Sequence, residues 1–551
     1  MKMFCRVAAA ASLGLSVFSV PAMAGDEIRT IELFSRPQAS QPAEFQAVQL
    51  IAQEWRKLGL DVDIKVMPWE QLSTVVWFER DSWDTTAWQM VGRPERSDPD
   101  ELIYNLFHST TMEKGYNFIG YNNPAYDKVV EEQRITVDPD KRRELIFESQ
   151  QILAADQPNM MLVHPKTTFA YDKTIWDPAS VVEQGGIGIR NTWTFIGLKP
   201  LGDQKDIILN TSDNVIAINP LYISGGVDTW IHELIYDRLL RVGPDGLPTP
   251  WAAESYEWKD AVTIEVKLRS GMKWHDGKPL TAEDVKFSYD ATVGGEAPMF
   301  KPFGSNIANI EVVDDLTVIF TLKNAAASFT TSSLAKINLI PKHIWEPILD
   351  DLAGKEDNAE SHQESNPIGS GAYKFTRWLQ SEEVVLTANP DHFAAPAVDR
   401  WILRTVPNAE AALGMLRSGE INFLSDFGGD PKILHEAAEK DGDLEVVSTI
   451  NIGFRYIAFN NRRAPFDDPA FRRALSSSVD RRLILNAAFK GYATQSNGVV
   501  SPALEFWHDA SVVDNFETGS ELAASILEEA GYTVEGDRLH YPGDMKEMYA
   551  K

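Results

Sequence analysis

The spacing of apolar positions changes period repeatedly along this chain. Ile31-Glu32-Leu33-Phe34 has the pattern of a strand. From Ala43 to Leu58 the residues Phe45, Val48, Leu50, Ile51, Trp55 and Leu58 recur at helical spacing, and Gly59 stops the run. Asp61 to Val66 returns to alternation. Strand, helix and strand in this order predict a parallel crossover within an α/β lobe. Lys141 to Ala155 predicts another helix, followed by an apolar strand from Met160 to Val163. Pro469 to Leu485 predicts one long helix, and Glu521 to Ala530 another that closes at Gly531. Leu352 to Ser365 is polar and charged, as in a surface loop or frayed helix, and the stretch from about Asp537 to Lys551 reads as a loose tail.

The first residues change the picture by compartment. Lys2 and Arg6 precede an apolar stretch from Val7 to Val20, and Pro21-Ala22-Met23-Ala24 offers small residues for cleavage before Gly25. Residues 1–24 therefore read as a signal peptide, with export to the periplasm expected. Later stretches fall short of roughly 18 uninterrupted apolar residues, so no membrane span is expected. Cys5, the single cysteine, lies inside that signal, which leaves the rest of the chain without disulfides and dependent on large cores. With 551 residues and 44% hydrophobic content, two or three subdomains are expected. The formal charge of −28 argues against nucleic acid or an anionic lipid surface as partner. It does not reveal the charge of a small ligand, because a local pocket can oppose the overall field.

Chemistry-bearing motifs are sparse. His275, Asp276, Glu283 and Asp284 cluster in sequence but read as turn and helix-cap residues: Asp276-Gly277 is a turn pair, and Thr281 with Asp284 is an acidic variant of the capping box. Ser370 lacks the wider glycine spacing of a nucleophile elbow. There is no phosphate-cradling loop with its lysine and no zinc-type spacing, so neither a cofactor nor a metal is expected. A binding protein fits this inventory better than an enzyme.

Several segments carry a resemblance. Ile208-Leu209-Asn210 with Ile218-Asn219-Pro220-Leu221, then Ile235 to Leu239, precede the run from Leu268 to Val285 (LRSGMKWHDGKPLTAEDV). Gly369-Ser370-Gly371-Ala372-Tyr373 and Phe459-Asn460, with Pro465-Phe466-Asp467-Asp468 and Arg472-Arg473-Ala474-Leu475, follow. Together these resemble the peptide, nickel and opine class of bacterial extracellular solute-binding proteins, family 5, over residues 205 to 532. Residues 27 to 200, with Asp98-Pro99, Tyr121-Asn122-Asn123-Pro124 and Tyr126-Asp127, resemble the C-terminal part of that family, yet they come first. Circular permutation accounts for the swapped order, with a joint near Leu198 to Lys205 and a break after Tyr532. It requires Ile31–Phe34 to lie in the same sheet as the strand holding Phe454.

The resemblance implies a two-lobed α/β periplasmic-binding-protein fold of the large peptide-binding type, with crossing strands near 164–172 and 446–456. Its expected parts are a second-lobe segment 25–168, a first-lobe segment 169–238 containing the joint, an inserted subdomain 239–364, a first-lobe segment 365–450, and a second-lobe segment with tail 451–551. It implies a monomer that closes on a short peptide and delivers it to the membrane permease of an ABC importer. Glu95, by its offset from Asp98-Pro99, is the implied anchor for a peptide amine, flanked by Arg93 and Arg96, one of which either neutralises Glu95 or binds a ligand carboxylate. Asp98 is a ligand candidate too, although a helix cap with Pro99 at the first helical position uses the same pattern. Aromatic candidates are Trp88, and Tyr222 and Trp230 flanking Gly225-Gly226. Phe454, Arg455 and Tyr456 complete the set, with Phe454 and Tyr456 on one strand face and Arg455 on the other. The aromatic supply and Arg93 leave an oligosaccharide, an opine or another polar metabolite as an alternative ligand, and a secreted hydrolase as a third reading.

Overall fold

The strand Ile31–Ser35 pairs in parallel with Val62–Val66, in the register Ile31 to Val62 through Ser35 to Val66. The helix Pro42–Lys57 makes the crossover between them, burying Val48, Ile51 and Trp55. On its other side Ile31–Ser35 pairs with Thr85–Met90, and that strand pairs antiparallel with Phe454–Phe459. Ile31–Phe34 and Phe454 thus share one sheet, as the permuted order requires. The computed structural model describes residues 25–543 except 223–225, 295–296, 298–299, 353–358, 360–361 and 363–364, together with the side chains of 94 and 95. The signal-like segment 1–24 and most of the polar stretch 352–365 lie outside the described residues.

A long strand, Asn159–Asp172, joins the two halves of the molecule. Its first half pairs with Phe454–Phe459 and Ala493–Gln495, and its second half with Leu444–Ile450 and Phe423–Leu424. Leu444–Ile450 and Phe454–Phe459 are consecutive, so two antiparallel segments cross between lobes, with Asn451, Ile452 and Gly453 at the handover. The sheet continues through Asp206–Thr211 and Arg400–Thr405 to Glu383–Ala388 and Tyr373–Leu379, twelve strands in all. One lobe packs Trp55, Met160, Ile457, Phe471 and Leu527 into a core, and Trp83, Trp88, Phe118 and Tyr456 into a second. The other lobe gathers Phe169, Phe195, Leu209, Trp401 and Phe423. A separate core built on a four-stranded antiparallel sheet holds Ile264, Trp274, Tyr289, Phe320 and Trp345.

Two sequence expectations change. The segment Pro469 to Leu485 forms two helices, Pro469–Ser477 and Arg481–Ala487, because Asp480 leaves the helix and caps the second by accepting from the Arg482 amide at 2.8 Å. Residues past Asp537 are not loose as far as the description reaches. Arg538–His540 pairs with Thr533–Glu535, and Leu539 is buried in the same core as Trp55. The Gly25 amide then donates to the Tyr541 carbonyl at 2.8 Å, Tyr541 N to Asp26 O at 2.9 Å, and Ile28 N to Leu539 O at 2.9 Å. The two ends of the described chain lie side by side.

The motif from Leu268 to Val285 is structural, as its residues predict. Thr281 and Asp284 form a reciprocal capping box on the helix Ala282–Val293. Gly277 sits at φ +90°, the left-handed region that glycine tolerates. The His275 Nε2–H faces the Gly371 carbonyl at 3.0 Å, its Nδ1 accepts from the Gly369 amide at 3.3 Å, and burial pulls its pKa down to about 4. This is a neutral histidine tying two loops together.

Candidate functional site

Where the crossing strands meet the facing lobes, the structure encloses a cavity of about 580 Å³. This volume falls within the range of about 300–1,000 Å³ in which small-molecule sites lie. Val91, Gly92 and Arg93 follow the end of the strand Thr85–Met90 in one lobe, and Thr167 and Asn451 belong to the crossing segments. The opposite wall comes from the loop 184–193, the helix Gly226–Ile235 and the turn after it, and Thr331, Ala335 and Lys336 close a third side.

The helix Gly226–Ile235 shows how sequence pattern places function. Val227, Ile231, Leu234 and Ile235 point into the lobe core. Gly226, Thr229, Trp230 and Glu233, at the complementary helical spacing, line the cavity. The loop 184–193 reaches the site by glycine: Gly186 has φ +76° and an added Cβ there would lie 2.0 Å from the Ile452 side chain. Gly188, at φ +90°, would likewise put a Cβ 2.3 Å from the Phe169 ring. These close approaches let the Ile452 amide donate to the Gly186 carbonyl at 3.1 Å, pinning the loop to the interlobe handover. On the facing side, a Cβ on Gly92 would meet the Asn451 Oδ1 at 1.8 Å.

The cavity is rich in cations. Arg190 stacks on Trp230, its guanidinium carbon 3.8 Å from the ring centroid, while its Nη1 donates to the Ser425 carbonyl at 2.9 Å. Arg238 donates to the Glu233 Oε1 at 2.9 Å. Thr192 Oγ1 donates to the Glu233 Oε2 at 2.9 Å, and Arg241 Nη2 donates to the Glu233 carbonyl at 2.6 Å. Burial pushes the Glu233 carboxyl up, but the charges of Arg238 and Arg241 and the Thr192 hydrogen bond outweigh it and hold the carboxyl below its ordinary range. Burial lowers Arg190 and Arg241 to about 10, where both remain cations at neutral pH.

Of the residues singled out from sequence, Arg93 and Trp230 line this cavity. Asp98, Trp88, Phe454, Arg455, Tyr456 and Tyr222 lie outside its lining. Asp98 is buried with both oxygens engaged: Arg142 donates to them at 2.8 and 2.5 Å, Thr331 Oγ1 at 2.8 Å and the Asp100 amide at 3.0 Å. Its carboxylate is consumed in an ion pair and leaves no lone pair facing the cavity. Trp88 packs in the core against Trp69, Trp77 and Phe118. Phe454 and Tyr456, paired in register with Met90 and Trp88, are buried in that core too. Arg455 lies on the opposite strand face, close to Arg36 and Glu44, and burial lowers it to about 10. Tyr222 is half-buried beyond the cavity lining. The Glu95 side chain lies outside the described residues, its backbone in the short 3-10 turn Pro94–Ser97.

Sequence reasoning passed over Arg190, Arg241 and Lys336. A signal for Arg190 exists in Gly185-Gly186-Ile187-Gly188-Ile189-Arg190, where closely spaced glycines deliver a cation to a tight backbone approach. Arg241 carries none, since a cation after a helix most often faces solvent.

The sequence profile of the bacterial extracellular solute-binding proteins, family 5, matches residues 248–548, more than half of the chain. The chain belongs to this family. Among its family-5 relatives, the oligopeptide-binding protein AppA of Bacillus subtilis is 30% identical over 336 residues, 59% of this chain and 59% of that protein. The glutathione-binding protein GsiB of Shigella boydii is 28% identical over 336 residues, 60% of this chain and 62% of the relative. The solved structure of AppA from B. subtilis in complex with a nonapeptide aligns with TM-score 0.45 at 27% identity, covering 61% of this chain and 66% of that one. The chain thus spans less than two thirds of the length of the relatives it matches. Among the described residues, no helix of this family-5 member is long and apolar enough to cross a membrane.

Proposed function

We propose that this chain captures a short peptide or peptide-like solute and delivers it to the membrane permease of an ABC importer, performing no chemistry on it. The cavity of about 580 Å³ at the interlobe handover supports the reading, because hinge bending about the two crossing segments would open and close it. Family membership and the peptide and glutathione specificities in the names of two relatives point the same way. Export to the periplasm accords with the signal-like residues 1–24 and with the family's extracellular character. Calorimetric titration of the purified protein with short peptides tests the proposal. Binding in the micromolar range or tighter is expected, and failure of every peptide and polar-metabolite probe would overturn it.

We also infer that the family's two halves are exchanged in order here, so that segments 25–168 and 451–551 form one lobe, segments 169–238 and 365–450 the other, with 239–364 inserted. Three observations support this: the profile begins only at residue 248, the relatives match about three fifths of either chain, and Ile31–Ser35 shares a sheet with Phe454–Phe459. The hydrogen bond from the Gly25 amide to the Tyr541 carbonyl, nine residues beyond Tyr532, supports a break in this region of the chain.

A further inference from the structure

Among the described residues, the charged side chains lining the cavity are five cations, Arg93, Arg190, Arg238, Arg241 and Lys336, against one carboxylate, that of Glu233. That carboxylate is already committed to Arg238. The excess of positive charge stands out in a chain of formal charge −28, where a random patch of surface would be acidic. Arg241 is only 4% exposed, and neither it nor Arg190 forms an ion pair among the described residues. The Nε of each has no hydrogen-bond partner. Carboxylates act on these two cations only at a distance, Asp213 and Asp426 on Arg190 and Glu233 and Asp237 on Arg241, so neither has the direct ion-pair partner that usually offsets burial. Asp213 and Asp426 act on Arg190 electrostatically, yet its Nη1 donates to the Ser425 carbonyl instead. Stacking on Trp230 fixes the plane of the guanidinium, and a fixed planar fork is the geometry that recognises a carboxylate.

Resting on the reading that this cavity holds the solute, we propose that the solute is an anion carrying at least two carboxylates, a short acidic peptide, with Arg190 as its principal anchor and Arg93 reaching it from the facing lobe. The cavity volume suits a molecule of two or three residues better than an extended chain. The surrounding acidic field discriminates against nothing once the ligand is enclosed, because the local cations dominate at contact distance.

The test is calorimetry on the purified protein with Ala-Glu-Glu, Ala-Gln-Gln and Ala-Lys-Lys, and with glutarate as a non-peptide dicarboxylate. The acidic tripeptide should bind at least about tenfold more tightly than the glutamine peptide, as expected for hydrogen bonds to charged groups. The lysine peptide should bind weakest. Arg190→Gln should weaken the acidic tripeptide by at least about tenfold more than the glutamine peptide, and Arg190→Lys should restore only part of that difference. Arg93→Gln, at an exposed position, provides a second variant that leaves packing untouched and should reduce the same preference. Glutarate binding without peptide binding would support the anion assignment and overturn the peptide reading. Peptides binding with equal or reversed charge preference would overturn the anion assignment and leave the transport reading standing. No binding by any probe would overturn both.

Discussion

Asp98 is the position at which sequence pattern and structure part most sharply, and its replacement gives the most demanding test. Asp98 and Arg142 are each 4% exposed, joined by two hydrogen bonds of 2.8 and 2.5 Å. Burial pushes the Asp98 carboxyl up, but the Arg142 charge and the hydrogen bonds outweigh it and hold the pKa below its ordinary value. Asp98→Ala leaves the Arg142 guanidinium buried beside Gln133, and removing one partner of such a pair costs about 3–5 kcal/mol. Asp100 moderates the loss. Burial raises its carboxyl and the neighbouring Asp98 adds to that, so without Asp98 it ionises more readily near Arg142 and the lower end of the range is expected. For a unit of 150–250 residues this corresponds to a fall of roughly 6–20 °C in Tm. The double variant Asp98→Leu with Arg142→Met should recover most of the loss, because it removes both charges together. Differential scanning calorimetry on the three variants, with peptide titration alongside, reads the outcome. A single variant of unchanged Tm that has lost ligand affinity would refute the reasoning and make Asp98 a ligand residue.

Acidification should destabilise the protein through buried neutral histidines. Burial lowers His164 to about 4, and burial together with the charge of Arg238 lowers His232 to about 3, both well under the ordinary value of about 6.5. Because the unfolded chain takes up these protons first, their stabilisation is complete above about pH 6.5. It declines by about 1.4 kcal/mol per pH unit for each histidine as pH falls toward the folded values. Urea midpoints should therefore drop from pH 7 to pH 5, less so in His232→Gln, and a flat profile would count against the assignment. Gly186→Ala should destabilise by about 1–3 kcal/mol and weaken ligand binding together, since the new Cβ meets Ile452 and the backbone is left-handed. A chain re-joined from Tyr541 to Gly25 by a short linker and reopened at Gly202 should fold and bind with unchanged affinity. Loss of folding there, with the starting protein intact, would argue against the exchanged order.

Local chemistry was the most legible part of this sequence. The crossover from Ile31 to Val66 and the capping box at Thr281 follow from spacing and side-chain type alone, and the structure places both as read. The helix break at Ser478 was hidden because Leu475 and Val479, both fully buried, are spaced four residues apart across it. The site was legible only in part. Trp230 and Arg93 could be found because each sits beside a loop whose role the family resemblance implies. Trp88, Phe454 and Tyr456 could not be sorted between core and cavity, since cross-strand partners decide which face of a strand is covered, and those partners lie some 370 residues away. Arg190 and Arg241 were obscure for a related reason: the meaning of a charge depends on what surrounds it, and a carboxylate like that of Glu233 finds its guanidinium only after folding.

The pairing of Gly25–Ile28 with Leu539–Tyr541 has a mechanical consequence. The two segments run antiparallel with Gly25 and Tyr541 at the same side, so a pull between those two residues would load the hydrogen bonds in sequence, Gly25 to Tyr541 first and Ile28 to Leu539 later. This is an unzipping geometry, and it yields at low force. The crossing strands carry no load until that edge has peeled away. Tethers attached at those two residues would therefore open a seam on the rim of one lobe while the hinge stayed at rest, and a force probe meant to report closure would have to grip the two lobes directly.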